Sequence, residues 1–344
     1  MVNLKSSGSV SAEPKPQYGH LSEIDPEFEP LREATDAQFA QLWQMPMDEF
    51  KMAWLTTPPA LPPNCPVPGK HIEIVDQKAP VRDGTQIGIR IYRPIKPQSG
   101  SALYLKAHGG GWVVGSHEVE EAENRFVAGM GNVVVVSVDY RMAPEYKFPY
   151  AINDCFDVLK WCKSNASSLG INPERIVVGG GSAGGNIASV LAQMVRDEKV
   201  SGIVGQVLNI PVTCHPKHFP ADKYEYGSYQ QNKDASVIDA PKMDWFWEQY
   251  LPNATAEPYA SPLLAKDLSG LAPALVQVAG LDPLRDEGLA YAEALKAAGV
   301  SVTVKTYQGL PHGFYMFPQL KASDTYIQTV VDFINSCIGG SSKI

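Results

Sequence analysis

The most distinctive stretch of the chain is a serine flanked by glycines, residues 175–189 (RIVVGGGSAGGNIAS). A β-branched run ends in three glycines, Ser182 follows, and a helix-compatible segment comes next. Residues 180–184 fit G-x-S-x-G, in which small neighbours let the backbone turn sharply enough to expose the serine hydroxyl. The stretch therefore indicates a nucleophilic serine in a strand–turn–helix unit.

The same glycines allow two other interpretations. Gly179, Gly181 and Gly184 also form G-x-G-x-x-G, the pattern of dinucleotide-binding turns. That pattern needs an acidic residue at the end of the next strand to bind a ribose, but the next apolar run ends in Asn209-Ile210-Pro211 (NIP). The third interpretation is a glycine-rich turn without chemistry, and the stretch alone does not decide among the three.

Two further residues match the chemistry of a nucleophilic serine. Asp282 ends a predicted strand and precedes Pro283, so it either caps the next helix or orients a histidine. His312 lies between a proline and a glycine, in a loop where an imidazole can be exposed and positioned. Serine, acid and histidine follow three different strands in the order of nucleophile, orienting acid and base in α/β-hydrolases. The dinucleotide interpretation predicts none of these partners.

A glycine loop follows another predicted strand at residues 108–112 (HGGGW). Successive glycine N–H groups can approach a substrate oxygen without a Cβ in the way, and the N–H of Ala183 would complete an oxyanion hole. Gly109 and Trp112 are candidates for lining the substrate pocket, which we expect to be apolar.

Alternating elements must position these residues. From residue 102 onward, helix-compatible and β-branched segments alternate, which predicts a mostly parallel sheet flanked by helices, with an antiparallel hairpin around Asp83-Gly84 at one edge. Ligands bind beyond the carboxyl ends of such strands, where all the candidates lie. The predicted strands are 102–107, 133–138, 175–179, 203–208, 274–279 and 301–306, and the predicted helices are 117–130, 150–163, 184–197, 284–298 and 324–337.

The predicted organisation has a catalytic α/β domain and a helical cap. We expect a flexible N-terminus (1–20), N-terminal cap helices with a proline-rich connector (21–70), the catalytic domain (71–211 and 259–338), a cap insertion (212–258) and a flexible tail (339–344). The insertion is rich in aromatic residues, so it forms a lid over a pocket, a satellite core of its own, or both.

Composition narrows the partners. The net charge is −8 without a basic cluster, and no apolar run approaches the ~20 residues of a membrane span, so we expect neither nucleic-acid binding nor a membrane span. Five scattered cysteines suit a reduced, cytoplasmic protein. Ser342-Lys343-Ile344 differs by one conservative step from a peroxisomal Ser-Lys-Leu signal, which makes import possible. No metal site is predicted, because the three candidate ligands of Cys214-His215-x-x-His218 crowd into one short loop.

Together these motifs resemble the hormone-sensitive-lipase family of α/β-hydrolases. The matching stretches are HGGGW (108–112), YRMAPEYKFPYAIND (140–154), NPERIVVGGGSAGGNIA (172–188), LDPLRDEG (281–288) and HGF (312–314). The family contains cofactor-free esterases and lipases with a cap. The resemblance implies roles for six residues: Ser182 as nucleophile, His312 as base, Asp282 as its orienter, and Gly110, Gly111 and Ala183 as oxyanion donors. One departure is Gly181, where the family usually has aspartate.

The sequence therefore predicts a serine hydrolase that cleaves small carboxylic esters with short or medium acyl groups through an acyl-enzyme. A lactonase, thioesterase or amidase specific for one metabolite could use the same three residues. A third alternative is a non-catalytic small-molecule receptor, but receptors resembling this family typically lack the histidine, which is present here as His312. The oligomeric state is not indicated.

Overall fold

The computed structural model describes residues 17–96, 98 and 100–339. Eight strands form one sheet in the order β1-β2-β4-β3-β5-β6-β7-β8. The β1/β2 and β2/β4 pairs are antiparallel and all other pairs are parallel. The strands are β1 (Ile72–Pro80), β2 (Gln86–Pro94), β3 (Ser101–Ala107), β4 (Val133–Asp139), β5 (Ile171–Gly181), β6 (Ile203–Asn209), β7 (Ala274–Leu281) and β8 (Val302–Pro311). The predicted fold, a mostly parallel sheet with a hairpin at one edge, is confirmed.

Ten α-helices accompany the sheet in the described part of the chain. They are α1 (Glu29–Leu42), α2 (Met47–Thr56), α3 (Glu121–Gly129), α4 (Tyr150–Ser164), α5 (Ala166–Leu169), α6 (Ala183–Asp197), α7 (Ser228–Gln231), α8 (Ala240–Tyr250), α9 (Arg285–Ala297) and α10 (Lys321–Cys337). Short 3₁₀ helices cover Gly19–Ser22, His117–Glu120, Pro216–His218, Pro262–Leu264 and Phe314–Met316. No helix in these described ranges is long and apolar enough to cross a membrane.

The central strands are buried on both faces because helices cover the sheet from both sides. β4 begins with four consecutive valines, and every residue of β4 except Asp139 is buried. Such continuous β-branched runs are typical of parallel strands with no solvent-facing side. α6 packs on β5, and its residues from Ala183 to Val195 are all buried. The junction between β5 and α6 therefore lies at the centre of the fold.

The aromatic side chains of the insertion share one core with the N-terminal helices and the sheet. Trp43 at the end of α1 packs edge-on against Trp245 and Phe246 of α8, with ring centroids 5.4 Å apart in both pairs. Phe50 of α2 joins them at 5.0 Å from Trp43. Phe246 belongs to the same hydrophobic cluster as Val134, Val136 and Val138 of β4. The satellite core considered for residues 212–258 is thus continuous with the main one.

The N-terminal helices expected within residues 21–70 correspond to α1 and α2, with Pro46 directly before α2. Other predicted bounds differ from the structure. Residues 301–306 were predicted as a strand, but β8 continues to Pro311. The predicted flexible N-terminus includes part of the 3₁₀ helix Gly19–Ser22, and Tyr18 donates a hydrogen bond to Glu293. Residues 1–16 and 340–344, with the Ser-Lys-Ile tripeptide, lie outside the described residues, so peroxisomal import stays a prediction.

Candidate active site

Ser182 is the single residue between β5 and α6. Its backbone has φ 56° and ψ −118°, an uncommon conformation for a residue other than glycine and the one expected at a sharp strand-to-helix turn. The turn is held by two backbone hydrogen bonds: the Ser182 N–H donates to the Asn209 carbonyl (2.8 Å), and the Asn186 N–H donates to the Ser182 carbonyl (3.0 Å). The serine is therefore fixed at the carboxyl end of the sheet.

The glycines on either side of the serine are required by the end of β3. A Cβ on Gly180 would lie 2.4 Å from the carbonyl oxygen of Ala107, and one on Gly184 would lie 2.1 Å from the same oxygen. Any side chain at either position would push β5 and α6 away from β3. The two glycines of G-x-S-x-G, Gly180 and Gly184, are thus the positions at which the backbone approaches the Ala107 carbonyl closely.

Ser182, His312 and Asp282 form a hydrogen-bonded chain. His312 Nε2 lies 2.9 Å from Ser182 Oγ, and His312 Nδ1 lies 2.6 Å from Asp282 Oδ2. Asp282 is 1% exposed, His312 6% and Ser182 7%. In this arrangement the imidazole can accept the serine proton while the buried carboxylate stabilises the resulting imidazolium.

The two carboxylate oxygens of Asp282 have different partners, one in the turn before α9 and one on the histidine. Its Oδ1 accepts a hydrogen bond from the Leu284 N–H at 2.9 Å, while Oδ2 faces His312. Its main-chain carbonyl accepts from Asn232 Nδ2 at 3.0 Å, which ties the insertion to the end of β7. The N-cap of α9 is Leu284, so Asp282 does not cap the helix itself; one of its oxygens holds the preceding turn and the other faces the histidine.

The HGGGW loop is stiffened by contacts of its first residue. His108 Nδ1 lies 2.8 Å from the Gly109 carbonyl, and its ring stacks on Tyr140 with centroids 4.2 Å apart. Tyr140 donates to the His108 carbonyl at 2.8 Å. Burial lowers the pKa of His108, which keeps the imidazole neutral inside the fold.

The loop presents N–H groups without protein acceptors. Gly110 and Gly111 have φ of 117° and 59°, so their peptide groups are turned by left-handed backbone that favours glycine. Within residues 17–96, 98 and 100–339, the N–H groups of Gly110, Gly111 and Ala183 find no backbone or side-chain acceptor. Gly109 lies against the sharp turn that carries Ser182 (residues 180–184), which we call the elbow. A Cβ on Gly109 would be 3.0 Å from the Gly181 carbonyl.

Trp112 differs from its predicted place in the pocket wall. It is fully buried, with its ring stacked on Tyr250 at 4.2 Å and tilted against Trp247 at 4.8 Å. It therefore supports the loop from inside and has no surface for a substrate in this structure. Phe246, which the sequence did not single out, packs over the loop instead: a Cβ on Gly111 would lie 2.2 Å from its ring. Only the aromatic richness of the insertion signalled it.

A buried ionic cluster beneath the elbow was also missed. Lys106 of β3 has no exposed surface, and its Nζ lies 2.5 Å from Glu123 and 3.4 Å from Glu120. The available signals were a lysine inside an apolar strand (ALYLKA) and the acidic run EVEEAE at residues 118–123. A buried ammonium needs such partners.

The Cys214, His215 and His218 side chains do not converge. His218 Nε2 lies 2.6 Å from the Ala254 carbonyl, and His215 Nδ1 accepts from the Lys217 N–H. Across the described ranges, no group of three histidine, cysteine or acidic side chains is arranged to hold a metal ion.

Comparisons with known proteins place the chain in a family. A family model described as an alpha/beta hydrolase fold matches residues 104–316. The chain is 35% identical over 301 residues to the carboxylesterase NlhH of Mycobacterium tuberculosis, covering 86% of this chain and 90% of that protein. It is 37% identical over 246 residues to an ethyl acetate hydrolase of Pseudomonas putida, covering 70% and 75%. The crystal structure of EstE1, a thermophilic carboxylesterase from a metagenomic library, superposes with a TM-score of 0.72 at 36% identity, covering 90% and 97%. The resemblance predicted from the motifs is confirmed, and this chain belongs to the carboxylesterase family of α/β-hydrolases related to hormone-sensitive lipase.

Proposed function

We propose that this chain is a serine carboxylesterase in which Ser182 is the nucleophile, His312 the general base and Asp282 the residue that orients the histidine. The observation that carries the proposal is the continuous hydrogen-bonded chain, 2.9 Å from Ser182 to His312 and 2.6 Å from His312 to Asp282. These distances are short enough for proton transfer without rearrangement. Family membership supports the same assignment.

In the proposed acylation step, His312 Nε2 takes the proton from Ser182 Oγ as the oxygen attacks the ester carbonyl carbon. The carbonyl oxygen becomes an oxyanion that accepts hydrogen bonds from the N–H groups of Gly110, Gly111 and Ala183, which have no other acceptor among the described residues. The C–O bond to the alcohol then breaks, and the imidazolium returns its proton to the leaving alkoxide.

In the proposed deacylation step, water enters the space left by the alcohol. His312 removes a proton from this water as it attacks the acyl-enzyme carbonyl, and the same N–H groups stabilise the second oxyanion. Collapse releases the carboxylic acid and returns the proton to Ser182. Asp282 accepts the hydrogen bond from Nδ1–H throughout and keeps the imidazole in place.

The substrate class we propose is small esters with short or medium acyl groups. Phe246 occupies the space directly over Gly111, which narrows the site above the oxyanion loop. A neighbouring cavity of about 260 Å³, lined mostly by apolar side chains, lies between the N-terminal helices and the segment after His312. Its lining residues include Phe39, Leu42, Trp54, Val119, Met316 and Phe317. This volume is slightly below the usual size of ligand pockets, about 300–1,000 Å³.

We propose that residues 21–70 and 212–258 act together as the cap over this site. The support is the aromatic contact of Trp43 with Trp245 and Phe246, which joins the two segments above the oxyanion loop. One relative, of Pseudomonas putida, is named an ethyl acetate hydrolase, and ethyl acetate is a small ester.

The test is Ser182→Ala with p-nitrophenyl acetate as substrate. We expect kcat to fall by about 10⁴-fold or more, because nothing else in the site can form the acyl-enzyme. Ser189→Ala is the matched control: this buried serine of α6 donates to the Asn186 carbonyl and does not contact His312, so its kcat should stay within a few-fold of wild type.

Labelling by a fluorophosphonate gives an independent readout. The proposal predicts one covalent adduct, on the peptide that contains Ser182, and none in Ser182→Ala. A Ser182→Ala variant that keeps a tenth of the wild-type kcat would contradict the assignment. An inert wild-type serine would favour the non-catalytic receptor, and faster turnover of a lactone or thioester than of any ester in a chain-length series would replace the ester assignment.

A further inference from the structure

The space beside Gly181 is occupied by a carboxyl from another element. Gly181 directly precedes Ser182, and a Cβ built on it would lie 2.1 Å from Glu120 Oε1 and 2.8 Å from the Tyr315 hydroxyl. Its φ is not in the left-handed region, so the backbone alone would accept another residue. The Glu120 carboxyl and the Tyr315 hydroxyl fill the position that a side chain would take, so a larger residue would have to displace them. The missing carboxylate noted in the sequence is thus replaced in space.

Glu120 connects the two segments that carry the proposed nucleophile and base. It ends the 3₁₀ helix His117–Glu120, is 3% exposed, and reaches the elbow at Gly181. The same oxygen, Oε1, accepts a hydrogen bond from Tyr315 at 3.4 Å. Tyr315 belongs to the 3₁₀ helix Phe314–Met316, which begins two residues after His312. One carboxyl therefore touches both sides of the Ser182–His312 contact.

Glu120 lies in a buried cluster with Lys106 and Glu123. Lys106 Nζ lies 3.4 Å from Glu120 Oε2 and 2.5 Å from Glu123 Oε1, and all three side chains are buried. Glu123 accepts further hydrogen bonds from Tyr104 (2.7 Å), Asn209 (3.1 Å) and Tyr326 (3.1 Å). Glu123 therefore accepts more hydrogen bonds than Glu120, although both carboxyls are equally buried.

One buried ammonium cannot neutralise two buried carboxylates. Burial raises the pKa of Glu120 to about 7, against the opposing effect of Lys106. Glu120 therefore exists largely as a neutral acid below that pH, a form that packs against the apolar and peptide groups of the elbow at little cost. Its place is determined by shape and hydrogen bonding.

We propose that Glu120 is a positioning residue for the nucleophile: its carboxyl fills the space beside Gly181 and, through Tyr315, keeps the elbow at hydrogen-bonding distance from the loop that carries His312. This inference rests on the proposed function of Ser182 and His312. Glu120 makes no contact with the substrate in this proposal, so replacing Glu120 should lower kcat and change KM little.

A double-variant cycle tests the shared space. Glu120→Ala leaves a void behind the elbow, and Gly181→Asp places a side chain where Glu120 Oε1 already lies. Each single variant is expected to lower kcat for p-nitrophenyl acetate by about tenfold or more with KM within about threefold, because small displacements of reacting groups cost this much. In Gly181→Asp/Glu120→Ala the aspartate occupies the vacated volume, and kcat should recover at least about fivefold over both singles.

Two results would overturn the inference: a Glu120→Ala variant with wild-type kcat, or a double variant with a kcat no higher than that of the better single. A residue important only for folding would lower the melting temperature without this recovery of kcat. If Glu120→Ala does not fold, Glu120→Gln and Glu120→Asp replace it. Glutamine keeps the length that reaches Gly181 and should keep kcat within about threefold, whereas aspartate is one methylene short and should lower it; equal values would refute the proposal.

The wild-type and Ser182→Ala enzymes separate this inference from the proposed function. If the wild-type enzyme neither hydrolyses the ester nor reacts with the fluorophosphonate, both the proposed function and the inference that rests on it are wrong. If Ser182→Ala abolishes turnover while Glu120→Ala does not change it, the positioning role alone is wrong.

Discussion

Replacement of Asp282 by asparagine is the most informative perturbation of the proposed triad. Asp282 Oδ1 accepts from the Leu284 N–H at 2.9 Å, and this contact decides how an amide would be oriented. If asparagine keeps its side-chain oxygen toward the Leu284 N–H, its NH₂ group takes the place of Asp282 Oδ2. That oxygen lies 2.6 Å from His312 Nδ1. A donor there forces the tautomer that carries its proton on Nε2, facing Ser182 Oγ. That nitrogen can no longer accept the serine proton.

The expected magnitude follows from the cost of the opposite orientation. Turning the amide so that its oxygen faces His312 leaves two donors, Nδ2 and the Leu284 N–H, opposed in a site that is 1% exposed. A buried unsatisfied donor costs about 1–3 kcal/mol, so the competent orientation is populated about 10- to 100-fold less. Loss of the carboxylate charge beside the imidazolium adds to this. We expect kcat to fall about 10³–10⁴-fold, or about 4–5 kcal/mol of activation free energy.

The assay compares kcat for p-nitrophenyl acetate with the melting temperature of each variant. Asp286→Asn is the matched control, because Asp286 is equally buried at the start of α9 but faces Arg285 and Ser228 rather than the histidine. It should lower the melting temperature and leave kcat within about tenfold of wild type. The reasoning is refuted if Asp282→Asn keeps a tenth of the wild-type kcat, or if both variants lose activity equally.

Two further predictions concern substrate size and acid stability. Phe246→Ala should raise kcat/KM for p-nitrophenyl octanoate relative to the acetate by about tenfold, because the ring over Gly111 is removed. The control Phe156→Ala should leave this ratio unchanged. An unchanged ratio in Phe246→Ala would argue against a role of Phe246 in limiting acyl length. Burial opposes ionisation of Asp157, but hydrogen bonds from Arg82 outweigh it and lower the pKa of Asp157 below its ordinary 3.8. The ion pair therefore stabilises the fold above that pH and less as pH falls through the lowered pKa. Asp157→Asn should cost about 1 kcal/mol of unfolding free energy at pH 7, since the arginine is partly exposed, and almost nothing near pH 2; a pH-independent cost in urea unfolding would contradict the assignment.

The strands were predictable because their burial is a property of local composition. Four valines in β4 and the apolar run of β3 can be buried on both faces only in a helix-covered sheet, and the structure confirms that sheet. The end of β8 was not predictable in this way. Gly309 accepts from the Asp25 N–H at 3.0 Å, a pairing with the N-terminal segment that no local pattern records.

The cap was predictable in kind but not in its contacts. Apolar spacing indicated helices in the N-terminal segment, and composition marked residues 212–258 as aromatic. That Trp43 meets Trp245 and Phe246, and that Phe246 in turn covers Gly111, depends on bringing distant segments together. The same holds for Trp112, which the sequence placed in the pocket wall and the fold places beneath Tyr250.

The sequence by itself determined the family, the sheet and the three residues proposed for catalysis, because each of these follows from a strand end and its adjoining turn. Only the tertiary structure decided that they lie 2.9 and 2.6 Å apart, and that the space beside Gly181 belongs to Glu120. The physical reason is that a glycine in the sequence shows where a side chain is missing, but not which other residue fills the space beside it. The occupant comes from a segment some 60 residues earlier, and its position depends on packing across β3 and on the hydrogen bond from Tyr315.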